Sequence, residues 1–220
     1  MKKLFPNDLP VRGDIYDLDG TLLNSMHAWE DVGPAFLRQL GIAPPHDLNE
    51  RFRTMSFAES SAYLIGTFSL PHTVEEVMQH IYDAVAEKYR HSLLLKPFAA
   101  DYIRKRRAQG ISMCVATATN GDLARAALQR CGILDCFSFV LSCDEVGVGK
   151  DNPAIFLQAA ERLDVPPAEC CVYEDSIHSI HTAKAAGFAV MGVQDEASAP
   201  FWEEIKTVSD WYITSFAQLL

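Results

Sequence analysis

The segment "IYDLDGTLLNS", residues 15–25, sets Asp17 and Asp19 two apart behind an apolar run, with Gly20 next. On an extended chain, side chains two apart point the same way, so both carboxylates can face one ligand. Gly20 lets the backbone turn tightly around that ligand. Alone, an Asp-x-Asp-Gly segment reads as a turn. The placement recurs, however. Thr117 ends "ISMCVATAT", Lys150 stands in "GVGKDNP" behind "FSFVLSCDE", and Glu174 and Asp175 end "CCVYEDS". Taken singly, Thr117 would be a helix cap and Glu174-Asp175-Ser176 an N-cap cluster. Taken jointly, several carboxylates, one hydroxyl and one ammonium converge, and one lysine cannot neutralise them. A hard divalent cation can, and Mg²⁺ prefers a few carboxylates with water and phosphate oxygens.

That convergence requires a particular scaffold. Apolar runs of strand character, the last two being "GFAVMGV" and "DWYITSFAQLL", alternate with helical patterns over Gly121–Arg130, Pro153–Leu163 and Ser176–Ala186. Such alternation predicts an α/β fold with a parallel sheet covered on both faces. In an open parallel sheet, ligands bind beyond the carboxyl ends of the strands, where these polar residues fall. From Met26 to Ala108 only helical patterns occur: His27–Leu40 stopping at Gly41, then Phe57–Phe68, then Val74–Tyr89 opened by Thr73 with Glu75 and Glu76 in its first turn. Leu93–Phe98, with Pro97, reads as the return linker. The expected organisation is an N-terminal tail over 1–10, an α/β core from 11–24 and 96–220, and a helical cap over 25–95.

The 220 residues are 49% hydrophobic and 22% charged, an ordinary globular composition with a net charge of −10. That charge argues against nucleic acid or an anionic membrane as partner. The run Arg104-Lys105-Arg106-Arg107 lies on a predicted helix before Gly110 and reads as a solvated helix end. No apolar run approaches the ~20 residues of a membrane span, and the start lacks the apolar region of a secretory leader. Six cysteines form no CxxC pair, and Cys114, Cys170 and Cys171 fall in strand-like runs, so core packing in a reduced, cytoplasmic compartment is expected. His178 and His181 are three apart and read as surface residues rather than a zinc pair.

These residues resemble the motifs of the haloacid dehalogenase superfamily, in the branch of β-phosphoglucomutases and phosphatases that carry a helical cap after the first motif. "DLDGTLLNS", "VATAT", Lys150 and "YEDS" match its four motifs in order, and the likeness runs from about Gly13 to Leu220. The resemblance implies a Rossmann-like parallel-sheet core with an inserted all-helical cap. It implies Asp17 as nucleophile through an aspartyl-phosphate, and Asp19 as general acid and then base. Thr117, with backbone N–H groups nearby such as that of Ala118, would bind phosphoryl oxygens, and Lys150 would offset their charge. Mg²⁺ would be held by Asp17, the main-chain carbonyl of Asp19 and Asp175, with Glu174 either a ligand or a support behind the ligands. Asp19 points to phosphate-ester chemistry, because dehalogenases of the superfamily lack this second acid.

The implied activity is hydrolysis of a small phosphorylated metabolite by a monomer or weak dimer. The alternative is a sugar-phosphate mutase of the β-phosphoglucomutase type, which carries a His early in the first cap helix. The corresponding position here is Trp29, with His27 on another helix face. "ERFRTMSFAES" resembles the mutase substrate loop, with Arg51 or Arg53 able to meet a phosphate, but Thr54 stands where Gly is usual. These departures favour the phosphatase. A phospho-signalling receiver has no need of Asp19 or a cap, and a non-catalytic binding domain would not need the full motif set.

Overall fold

A computed structural model of the chain describes residues 11–52, 55 and 57–220; the expected tail over 1–10 lies outside them. The chain enters strand β1 (Gly13–Tyr16), then passes through helices α1 (Met26–Gln39), α2 (Leu48–Phe52), α3 (Phe57–Phe68) and α4 (Val74–His91). Thereafter helix and strand alternate: α5 (Ala99–Ala108), β2 (Ser112–Thr117), α6 (Gly121–Arg130), β3 (Phe139–Ser142), α7 (Cys143–Val146), α8 (Ala154–Leu163), β4 (Cys170–Glu174), α9 (Ile177–Ala185), β5 (Ala189–Val193), α10 (Trp202–Val208) and β6 (Trp211–Ile213). The short helices α2, α7 and α10 had no distinct sequence signal, because one to two turns carry too little periodicity. No helix among the described residues is long and apolar enough to cross a membrane.

The six strands form one parallel sheet in the order β3-β2-β1-β4-β5-β6. Central β1 pairs with β2 through Gly13↔Ser112 and with β4 through Gly13↔Cys170. The chain crosses to opposite sides of β1 at β2 and β4, which puts the topological switch at the carboxyl end of β1, beside Asp17. The parallel strands are buried on both faces, hence their near-continuous apolar runs. On one face Ile15, Cys114, Val172 and Val190 pack against Ile155, Phe156, Ile177 and Ile180. Tyr16 and Tyr173 are also fully buried and stack with ring centroids 4.3 Å apart.

Asp14 is fully buried within β1. Arg106 answers it with two bonds, Nε to Oδ2 at 2.7 Å and Nη2 to Oδ1 at 3.0 Å, and Tyr16 donates its hydroxyl at 2.9 Å. This corrects the reading of Arg104–Arg107 as a solvated helix end. Arg104 and Arg107 are exposed, but Arg106 turns onto the sheet, and the Lys105 ammonium donates to the carbonyls of Leu219 and Leu220.

The described residues fall into two compact units, one of residues up to Ser25 with Leu93–Leu220, the other Met26–Ser92. Within the first, the two segments that lead to and from the second lie side by side. Leu23 bridges Leu95 in antiparallel fashion, Asn24 N–H donates to the Leu94 carbonyl, and Lys96 N–H to that of Leu22. The second unit is all-helical, with α1 and α3 both packed on α4. Val77, Ile81, Val85 and Tyr89 of α4 are buried, as are Phe36 and Leu37 of α1. Thr73 caps α4 as expected: its hydroxyl accepts from Glu76 N–H at 3.2 Å while the Glu76 carboxylate accepts from Thr73 N–H at 2.8 Å.

Candidate active site

Three strands and one helix–helix turn deliver the polar residues to one rim. Asp17 follows β1, its N–H held by the Tyr173 carbonyl of β4 at 2.9 Å. Thr117 closes β2, Glu174 closes β4 and Asp175 follows it. Lys150 arrives on the turn between α7 and α8. One oxygen each from Asp17, Glu174 and Asp175 lies within 4.8 Å of the others, and all three residues are buried. The Lys150 ammonium reaches Asp17 Oδ1 and, at 2.8 Å, Glu174 Oε1, while Ser176 N–H donates to Glu174 Oε2 at 2.9 Å. Asp175 takes the hydroxyls of Thr21 at 3.2 Å on Oδ1 and Ser198 at 3.0 Å on Oδ2.

Gly20 makes this crowding feasible. Its φ is +80°, and a Cβ there would lie 2.5 Å from Asp175 Oδ2. Any side chain would therefore meet both backbone strain and a carboxylate.

Asp19 points elsewhere. Ser25 donates to its Oδ1 at 2.6 Å and Thr119 to its Oδ2 at 2.7 Å, and Thr119 N–H donates to Thr117 Oγ1 at 3.0 Å. Its carboxylate is not in the acidic trio, so two carboxylates two residues apart occupy different environments rather than facing one ligand together.

The trio carries more negative charge than Lys150 can balance. Burial pushes the Asp17 carboxyl well above its ordinary range, with Glu174, Asp175 and Asp19 adding to the rise and Lys150 opposing it. Burial, then Glu174, lifts Asp175 to about 7. Burial works against charge on Lys150, but Asp17 and Glu174 outweigh it and hold its pKa above the ordinary value. Buried oxygens that repel one another and share one ammonium form a donor set suited to a hard cation.

Among the remaining expected contacts, Ala118 is exposed beside Thr117. In the helical unit His27 is exposed, and Trp29 donates its indole N–H to the Tyr89 hydroxyl at 3.0 Å. Arg51 is held by Asp47 at 2.6 Å and by the Tyr63 hydroxyl at 3.0 Å. Arg53 lies outside the described residues. Sequence reasoning missed Thr21, Ser25, Thr119 and Ser198. Thr119 had a usable signal, standing two residues beyond Thr117 where an extended chain repeats its facing. Ser198 had none, since it comes from the loop after β5.

Comparison with known proteins bears on the same region. The family described as haloacid dehalogenase-like hydrolase matches residues 15–187. A bifunctional riboflavin kinase/FMN phosphatase of Arabidopsis thaliana is 29% identical over 208 residues, covering 93% of this chain but only 53% of that protein's length. A β-phosphoglucomutase of Bacillus subtilis (strain 168) is 29% identical over 195 residues, with 83% of each chain covered. The fold matches the crystal structure of CbbY from Rhodobacter sphaeroides in complex with phosphate, with a TM-score of 0.77 at 23% identity over 95% of this chain and 96% of that one.

Proposed function

The chain belongs to the haloacid dehalogenase-like hydrolase family, and on that premise we propose that it is a Mg²⁺-dependent phosphatase of small phosphorylated metabolites. One observation carries the reading: a buried carboxylate trio, Asp17, Glu174 and Asp175, lies within 4.8 Å of itself with Lys150 between two of its members. Mg²⁺ would be held by the Asp17 and Asp175 carboxylates and the Asp19 carbonyl, with Glu174 as ligand or support. When bound it neutralises the acidic cluster and the phosphoryl oxygens.

The residues of the chain perform the transfer. The Asp17 carboxylate attacks phosphorus as the ester P–O bond breaks in line, and the departing oxygen takes a proton from Asp19. Water then attacks the phospho-Asp17 phosphorus, gives its proton to Asp19, and releases inorganic phosphate with Asp17 restored. Ser25 and Thr119 position Asp19 for both proton transfers. Thr117 accepts a hydrogen bond from Thr119 N–H, which leaves its own hydroxyl proton for a phosphoryl oxygen. Lys150 offsets charge at Asp17 throughout.

The test is phosphate release from a panel of sugar, polyol, nucleotide and acid monophosphates, with Mg²⁺ and with chelator. Asp17→Asn should lower kcat by at least ~10³-fold with an unchanged circular dichroism spectrum. Near-normal turnover by that variant, or unchanged rates in chelator, would overturn the proposal. Conversion of a hexose 1-phosphate to its isomer without phosphate release would assign the chain to the mutase branch instead.

A further inference from the structure

The carboxyl end of the sheet is unevenly charged. Beyond the catalytic acids, its loops and the helix starts they enter carry Asp122, Asp144, Glu145, Asp151 and Glu196, all exposed. Among the described residues of these segments, three cations stand against them, and each already has two acceptors. Lys150 is bound to Asp17 and Glu174. Lys96, in the return linker, is bound to Asp195 Oδ2 at 2.9 Å and the Gln194 carbonyl at 2.6 Å. Arg125 lies between Asp122 at 3.1 Å and Glu145 at 3.7 Å. The remaining base of these segments, His178, is an exposed imidazole at the start of α9. The basic cluster of the core unit, Arg104–Arg107, lies at the opposite end of the sheet, on the helix that feeds into β2.

A substrate brings one phosphoryl group, which Mg²⁺ and Lys150 can balance. A second anionic group would add to these exposed carboxylates, and each lysine and arginine of the described rim segments already has carboxylate partners to be displaced. Like-charge juxtaposition discriminates strongly between otherwise similar ligands. Resting on the phosphatase reading above, we infer that the core selects monophosphate esters whose leaving group is neutral or cationic, such as polyols, sugars and amino-polyols, and rejects leaving groups bearing a carboxylate or a second phosphate.

A matched pair tests this. Glycerol 3-phosphate and 3-phosphoglycerate are close in size and differ by one negative charge on the leaving group. Phosphate release is measured for both, with p-nitrophenyl phosphate as a generic ester. The neutral ester should show kcat/KM higher by at least about tenfold at low ionic strength, narrowing in 0.5 M KCl as the rim charges are screened. Glu196→Lys and Asp144→Lys, which touch none of the catalytic groups, should each raise kcat/KM for 3-phosphoglycerate by roughly threefold or more while moving that for glycerol 3-phosphate less than twofold. Equal or higher kcat/KM for 3-phosphoglycerate overturns the inference and leaves the phosphatase standing, as does a preference that ignores both salt and charge reversal. Absence of release from all three esters at millimolar concentration removes the phosphatase reading and this inference with it.

Discussion

Asp175→Asn should make the metal-free protein more stable at pH 8 while disabling it. In the absence of metal, burial and the neighbouring Glu174 raise the Asp175 carboxyl from its ordinary 3.8 to about 7. At about 1.4 kcal/mol per pKa unit, ionised Asp175 opposes folding by about 4 kcal/mol at pH 8. Asparagine removes that charge. It also replaces one of two acceptors, so either Thr21 or Ser198 must reorient, at a cost of about 1 kcal/mol. The net expectation is a gain of about 3 kcal/mol, or roughly 6–12 °C in Tm for a chain of this size. The sign depends on pH. Because the folded-state pKa lies above the unfolded one, the folded protein binds the extra proton, and the wild type gains stability as pH falls from above 7 towards 4. The variant lacks this component, so its advantage should shrink on acidification and reverse slightly near pH 4. Thermal unfolding in EDTA across pH 4.5 to 8.5, followed by circular dichroism, reads it directly. An Asn variant that is less stable at pH 8, or whose difference from wild type does not vary with pH, would falsify the account of a crowded trio.

Three further outcomes follow from the same geometry. Mg²⁺ binding at pH 7 should release about half a proton or more, because Asp175, lifted to about 7, must give up its proton to the ion; calorimetry in two buffers of different ionisation enthalpy counts the protons, and a count of zero means that Asp175 is already fully ionised without metal. Gly20→Ala should weaken Mg²⁺ binding at least ~10-fold and lower Tm by a few degrees, since its Cβ meets Asp175 at a positive φ; wild-type affinity by titration calorimetry would show that the loop tolerates a side chain. Arg106→Met should cost about 3–5 kcal/mol by stranding the buried Asp14, and Asp14→Leu in the same chain should recover most of it; urea unfolding of single and double variants measures the coupling, and additive losses would refute a linked pair.

The site was legible in the sequence because parallel sheets put function at strand ends, where a polar residue interrupting an apolar run is conspicuous. Asp17, Thr117, Lys150 and Asp175 stood out for that reason. Arg106 did not, because neighbouring charges signal solvent and its partner Asp14 lies 92 residues away. Helical spacing held a clue, as Arg106 falls three and four residues after buried Ile103 and Tyr102, on the face that covers the sheet. Thr21 and Ser198 were hidden for a different reason. A hydroxyl in a loop is common, and only the folded chain shows which carboxylate it meets. The residues expected to contact substrate from the helical unit stand on no strand end, and Trp29 and Arg51 have hydrogen-bond partners within that unit.

The antiparallel contact of Leu23 with Leu95 means that the polypeptide exits and re-enters the α/β core through a single doorway. Topologically, the whole of Met26–Ser92 is one long hairpin tip. A cassette attached in this way can be shortened, enlarged or exchanged without shifting the register of any strand. Changes in length or sequence confined to that insert therefore leave the strand ends that carry Asp17, Thr117 and Glu174 where they are.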